Sequence, residues 1–143
     1  INGLKGEVLD IKTEKPIDKI VSRGLFVLPL GDDKNTCIVG STYEHNNDSW
    51  VPSTRARDEM ELKLKKLLSC DYEVIGHRAG IRPTVVDRRP VLGTHPNNSK
   101  LAIFNGLGTK GVSLGPFFAE QFASHLVTDT PLMPEVQLDR FFR

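Results

Sequence analysis

A glycine-rich turn, Gly106-Leu107-Gly108-Thr109-Lys110-Gly111, decides most of what this chain can fold into. It follows the apolar stretch Leu101-Ala102-Ile103-Phe104 and precedes a segment of helical periodicity, so it fits G-x-G-x-x-G between a strand and a helix. A doubly wound nucleotide-binding unit needs a second parallel strand after that helix, ending in an acid for the ribose. Here the helix runs into Thr128-Asp129-Thr130-Pro131, then Pro134, then the tail Leu138-Asp139-Arg140-Phe141-Phe142. The surroundings therefore argue against the ordinary dinucleotide fold. The local physics survives: glycines allow close backbone approach, and a helix start offers unpaired N–H groups with partial positive charge. Such a turn can hold a phosphate, face a ring that gains negative charge, or simply connect strand to helix.

Upstream, the pattern is that of an antiparallel sheet. Gly6 to Ile11 reads as a short strand, and Pro16 interrupts regular structure beyond it. Two apolar runs, Leu25–Leu30 and Cys37–Val39, flank Gly31-Asp32-Asp33-Lys34-Asn35 and predict a hairpin. Ser53 or Thr54 can cap a helix, with Asp58 and Glu59 near its positive end and Met60, Leu64, Leu67 and Leu68 on its buried face. The charge run Lys63, Lys65, Lys66 is then solvated surface. A long strand follows over 72–84, with His77, Ala79 and Ile81 on one face and Arg78, Gly80, Arg82 and Thr84 on the other. The last helix has Pro116 near its first turn and Phe118, Ala119, Phe122, Ala123 and Leu126 on one side. The expected class is α+β: a largely antiparallel sheet with two helices.

The net charge of +1 and pI near 8.0 point away from nucleic acid, and no apolar run approaches the roughly 20 residues of a membrane span. Cys37 and Cys70 stand in no metal-like spacing and suit reduced, buried thiols in a cytoplasmic protein. The four histidines share no ligand spacing either; His77 reads as a core histidine and His125 as a charge at a helix C-terminus. No metal site and no catalytic triad emerge. The chain opens on Ile1-Asn2-Gly3 and enters strand-like sequence almost at once, so we expect the C-terminal piece of a longer protein.

One arginine stands out. Arg82 lies in Gly80-Ile81-Arg82-Pro83-Thr84, where Gly80 opens space on the same face and Pro83, unable to donate a ladder bond, is expected to end or bend the strand. A guanidinium in an open slot suits bidentate capture of a carboxylate. An internal ion pair with Asp87 or Glu73 fits the same residues.

Three segments together resemble the D-amino-acid oxidase family of flavoproteins, the group that contains glycine oxidase and sarcosine oxidase. They are Gly80 to Gly93, similar to that family's G-x-R-P…D-x-x-P-x-x-G stretch; Asn105 to Pro116, similar to its flavin-facing turn; and Phe26-Val27-Leu28-Pro29 through Ile38 to Glu44, similar to its strands over the substrate. The resemblance implies FAD as cofactor and a small amine or amino acid as substrate, oxidised to an imine by hydride transfer. It implies that Arg82 binds the substrate carboxylate and that Phe26 and Tyr43 line the substrate side. It implies that Gly106, Leu107, Gly108, Thr109, Lys110, Gly111, Val112 and Ser113 meet the flavin ring, with no protein group as a catalytic acid or base. It also implies that residues 1–93 belong to the substrate sheet domain and 94–143 close the FAD domain. The family's N-terminal nucleotide-binding segment would be a separate, missing part of the same chain. Thr109 stands where glycine oxidase has a second basic residue. The spelling Gly-Leu-Gly-Thr-Lys-Gly is closer to the oxidase domain of the bifunctional enzyme that modifies the tRNA wobble uridine. Oxidation of an aminomethyl group on tRNA is therefore a second reading, and a non-redox binding module a third.

Overall fold

Alternation along the first strand sets the larger sheet. The computed structural model describes residues 1–142, and its β1 spans Asn2–Thr13, well beyond the Gly6–Ile11 expected. Lys5, Glu7, Leu9, Ile11 and Thr13 fall at every second position and are all buried. Short β2 (Val21–Ser22) leads to β3 (Phe26–Leu30), which pairs with β4 (Thr36–Gly40) in the predicted hairpin. β4 pairs in turn with β1, in the register Leu9↔Val39 and Ile11↔Cys37, and β5 (Glu44–His45) closes the other side of β1. The antiparallel order is β2-β3-β4-β1-β5, with β6 (Tyr72–Thr84) also on β1.

Helix α1 (Thr54–Leu67) begins where the sequence allowed, with Ser53 as cap: its Oγ accepts from the Ala56 N–H at 3.2 Å. Ala56, Met60 and Leu64 are buried; Leu67 and Leu68 pack half-buried against Leu9, Ile11, Val27, Cys37 and Val39. Asp58 and Glu59 lie beyond the first turn and do not serve its dipole; Glu59 instead pairs with Lys63 at 2.6 Å, one turn on.

The chain divides into two compact units, Leu4–Ile81 and a second that joins Ile1–Gly3 to the residues from Arg82 onward. The second is built on a hairpin of β7 (Val91–His95) and β8 (Asn98–Asn105), with a bulge at Thr94/His95. β8 contains the predicted strand; β7 was not expected. Helix α2 (Gly111–Thr128) starts five residues before Pro116, so the proline sits inside the helix and not in its first turn. Only Phe118 and Phe122 of the expected face are buried, packed with Leu92, Leu132 and Val136; Ala119, Ala123 and Leu126 are exposed. A two-stranded hairpin covers a narrow stripe of a helix, and two phenylalanines fill it. His125 lies in the last turn of α2 with Nδ1 3.0 Å from the Thr130 carbonyl.

Candidate functional site

In the first unit, Phe26 reaches its place because residue 40 is glycine. Phe26 and Val8 lie opposite Gly40 on its two neighbouring strands, and a β-carbon there would stand 2.7 Å from Val8 Cγ1 and 3.2 Å from Phe26 Cζ. Three residues later Tyr43 is 61% exposed and, with Thr42, Ser53, Arg55 and Glu59, borders a cleft of about 50 Å³. A larger groove of about 400 Å³, along Glu61, Lys65, Cys70 and Tyr72, includes none of the predicted residues. Cys37 is buried as expected, whereas Cys70 is only half-buried on that groove.

Sequence reasoning missed a buried polar cluster beneath this surface. Lys5 and Glu7 are 2% and 1% exposed and pair at 3.1 Å. Lys5 Nζ also donates to the Val51 carbonyl at 2.7 Å. The Glu7 carboxylate accepts from the Ser53 N–H at 2.9 Å and the Ser53 hydroxyl at 3.0 Å. His77 Nε2 lies 2.8 Å from Glu7 Oε2, off the direction of a ring N–H hydrogen bond. Burial pushes the Glu7 carboxyl upward, but the Ser53 amide, Lys5 and the Ser53 hydroxyl outweigh it and hold it below the ordinary range. The signal was there: opposite charges two apart, in phase with Leu9 and Ile11. On the same strand Asp10 takes Arg78 bidentately at 2.6 and 2.8 Å, in space that Gly76 leaves for its carboxylate.

The last strand of the larger sheet, β6, fills the predicted span 72–84, with Pro83 one residue before its end. The hydroxyl of its final residue, Thr84, donates to the Asn2 carbonyl at 2.9 Å. Arg82 is half-buried and engaged by neighbours. A side chain built at Gly80, two residues before it, would meet nothing within 4 Å, as an open slot requires. Asp87, one of the two acids considered for Arg82, accepts from Arg140 Nε at 3.0 Å and from the Arg89 N–H at 3.1 Å.

The glycine turn stands beside this strand end. Gly106 has φ +75°, and a β-carbon on it would lie 2.5 Å from Val85 Cγ2, so packing within the chain alone demands glycine here. Gly108 has φ +56°; its β-carbon would lie 3.5 Å from Thr84 Cγ2 and 4.0 Å from the Pro83 carbonyl. A 3₁₀ turn, Gly108–Lys110, feeds α2, whose N-terminus receives no side-chain cap. Leu107 is half-buried against the hairpin core, Thr109 and Lys110 are exposed, and Gly111 is helical with only Leu107 Cβ, at 3.9 Å, near its missing side chain. Val112 is 97% exposed, and the Ser113 hydroxyl donates to the Lys110 carbonyl at 3.1 Å. A left-handed glycine, an uncapped helix start and a bare apolar side chain fit the edge of a flat, hydrogen-bond-accepting ring. Among the described residues no group of His, Cys, Asp and Glu is placed to hold a metal, and no helix is long and apolar enough to cross a membrane.

A family model described as DAO, FAD dependent oxidoreductase, matches residues 1–125. The chain is 32% identical over 100 residues to the Uncharacterized oxidoreductase YurR of Bacillus subtilis, across 66% of this chain and 26% of that protein. It is 25% identical over 149 residues to Glycine oxidase of Pseudomonas putida, across 96% of this chain and 40% of that one. Among solved structures, iminodiacetate oxidase from Chelativorans sp. BNC1 superposes with a TM-score of 0.75 at 28% identity, covering 97% of this chain and 38% of that chain. The chain thus spans 26% and 40% of the lengths of these two relatives.

Proposed function

Because the chain belongs to the FAD dependent oxidoreductase family, we propose that it forms the substrate-facing and ring-facing part of an enzyme that oxidises a small, carboxylate-bearing amine to an imine. Bound FAD supplies the hydride acceptor for that reaction. The chain's own residues do the positioning. Arg82 clamps the substrate carboxylate through two parallel hydrogen bonds, and Phe26 and Tyr43 shape the substrate side. Gly106 to Ser113 lie along the ring, and the opening N–H groups of α2 favour negative charge on its pyrimidine edge.

A nucleotide-binding segment of the same polypeptide would hold the adenosine and pyrophosphate. Residues 1–93 serve the substrate sheet and 94–143 the flavin domain in this reading, although the physical seam between compact units lies earlier, at Ile81/Arg82. A cytoplasmic setting goes with the free thiols of Cys37 and Cys70.

The observation that carries the proposal is the packing of Gly108 against Pro83 and Thr84, the two residues that follow Arg82. Two motifs identified separately in sequence, one suited to a flavin ring and one to a carboxylate, are neighbours in one compact unit. The test is to purify the full-length protein, record its flavin spectrum and screen amino acids and secondary amines for peroxide release or dye reduction. A colourless protein with no bound flavin would overturn the proposal.

A further inference from the structure

We propose that Glu7 is a positioning residue for the substrate, because it fastens both ends of the segment 42–53 that carries Tyr43. The inference rests on the reading that Tyr43 lines the substrate.

At one end the Glu7 N–H donates to Thr42 Oγ1 at 3.0 Å, and the Thr42 N–H donates to the Glu7 carbonyl at 3.3 Å. At the other end the Glu7 carboxylate takes both the N–H and the hydroxyl of Ser53, the residue that also caps α1. Lys5, paired with Glu7, holds the Val51 carbonyl two residues inside that end. Between these anchors the segment presents Tyr43 and Trp50, 61% and 68% exposed, with only the two residues of β5 in a strand. An exposed loop wanders unless its ends are fixed, and side chains that orient a substrate lose their use when displaced by about an ångström. The Glu7 side chain contacts the cap residue and the lysine, and its main chain contacts Thr42. Glu7 therefore ties both ends, the Ser53 end through its carboxylate and the Thr42 end through its backbone, and a change of the carboxylate loosens the segment from Ser53 inward.

The test uses the full-length flavoprotein with Glu7→Gln and Tyr43→Ala. A glutamine keeps the volume but turns an amide NH₂ toward the Ser53 donors or the Lys5 ammonium. We expect hydrogen exchange in the part of 42–53 that leads to Ser53 to accelerate about ten- to a hundredfold and KM to rise by a similar factor, while kcat and flavin content hold within about twofold. Unchanged exchange in that segment would overturn the clamp itself. Faster exchange with an unchanged KM, in a protein where Tyr43→Ala does raise KM, would reduce Glu7 to a loop anchor and overturn the positioning role. Should Tyr43→Ala also leave KM unchanged, the reading of Tyr43 fails and this inference falls with it, while exchange still reports the anchor. If Glu7→Gln does not fold, Ser53→Ala and Thr42→Val release one end each. Either should show the same pattern at lower amplitude, and its absence in both would overturn the proposal.

Discussion

Arg140 Nε lies 3.0 Å from Asp87 Oδ2, and the same guanidinium donates to the carbonyls of Gln137, Arg89 and Pro90 at 2.9, 3.2 and 3.0 Å. The C-terminal 3₁₀ turn, Leu138–Phe141, is thereby tied to the loop that follows β6. That loop also supplies Val85 and the Arg89 carbonyl beside Gly106, so the tie supports the glycine turn as well. Arg140→Ala should cost about 2 kcal/mol, since it leaves a carboxylate and three carbonyls without their donor. Arg140→Lys should recover part of this, because one ammonium cannot reach all four acceptors. Thermal melting of the two variants checks the ranking, and equal stability would contradict it.

Gly106 and Gly108 separate packing from cofactor contact. At Gly106 even an alanine combines left-handed backbone with a 2.5 Å approach to Val85. Gly106→Ala should therefore lower stability by about 2–4 kcal/mol whether or not flavin is present. At Gly108 the nearest side-chain atom is a Thr84 methyl at an ordinary 3.5 Å, so Gly108→Val pays mainly for its φ of +56°, about 1–2 kcal/mol. Its larger expected effect is loss of flavin, read as the ratio of flavin to protein absorbance after dialysis. Full flavin retention in Gly108→Val would mean the turn only connects strand to helix.

Much of the architecture was legible where the signals are local. The Gly31–Asn35 connection, the Ser53 cap and the strand over 72–84 each depend on neighbours within a few residues. Pro83, which cannot donate a ladder bond, stands one residue before the end of β6, where the Thr84 hydroxyl supplies a link to Asn2. β7 was missed because Val91–His95 is short and carries a glycine; Pro90, Pro96 and Asn97 bracket it and were the available clue. The start of α2 was set too late because proline prefers a first turn, yet this one is exposed and costs a single bond of the second turn. Arg82 and the glycine turn were singled out because glycine and proline mark the backbone around them. The Lys5–Glu7–Ser53 cluster joins residues 46 apart in sequence, and no local rule brings those together.

Acid should weaken the fold through Glu7 and Asp87. For Asp87, burial acts upward, but Arg140 and the Arg89 amide hold the carboxyl below its ordinary value. Both groups have depressed folded-state values, so their stabilisation is complete above the unfolded carboxylate pKa of about 4 and is lost as pH falls through the folded ones. Melting temperature should be flat from about pH 7 to 5 and fall below about pH 4. Glu7→Gln, with Lys5 left unpaired, should start about 3 kcal/mol less stable and lose less on acidification. An acid limb as steep as in the parent protein would show that Glu7 does not contribute to it.

Arg82 divides the two readings of its strand most sharply. If it clamps a substrate carboxylate, Arg82→Ala removes one partner of a desolvated charge pair in the complex, typically worth ~2–5 kcal/mol. In rate this corresponds to roughly thirty- to several-thousand-fold in kcat/KM for a carboxylated amine. Arg82→Lys should rescue only a fraction, because an ammonium cannot make the paired, parallel bonds of a guanidinium. Flavin content should hold in both, since the arginine serves the substrate and not the ring. The ion-pair reading predicts the reverse pattern: a lower melting temperature, with activity per folded molecule nearly unchanged. Half-burial and existing neighbours make some loss of stability expected under either reading, so the decision rests on kinetics normalised to flavin content. Comparing a carboxylated substrate with its decarboxylated amine sharpens it further. A clamp predicts that Arg82→Ala hurts the first far more than the second, and an equal loss on both would remove Arg82 from the substrate.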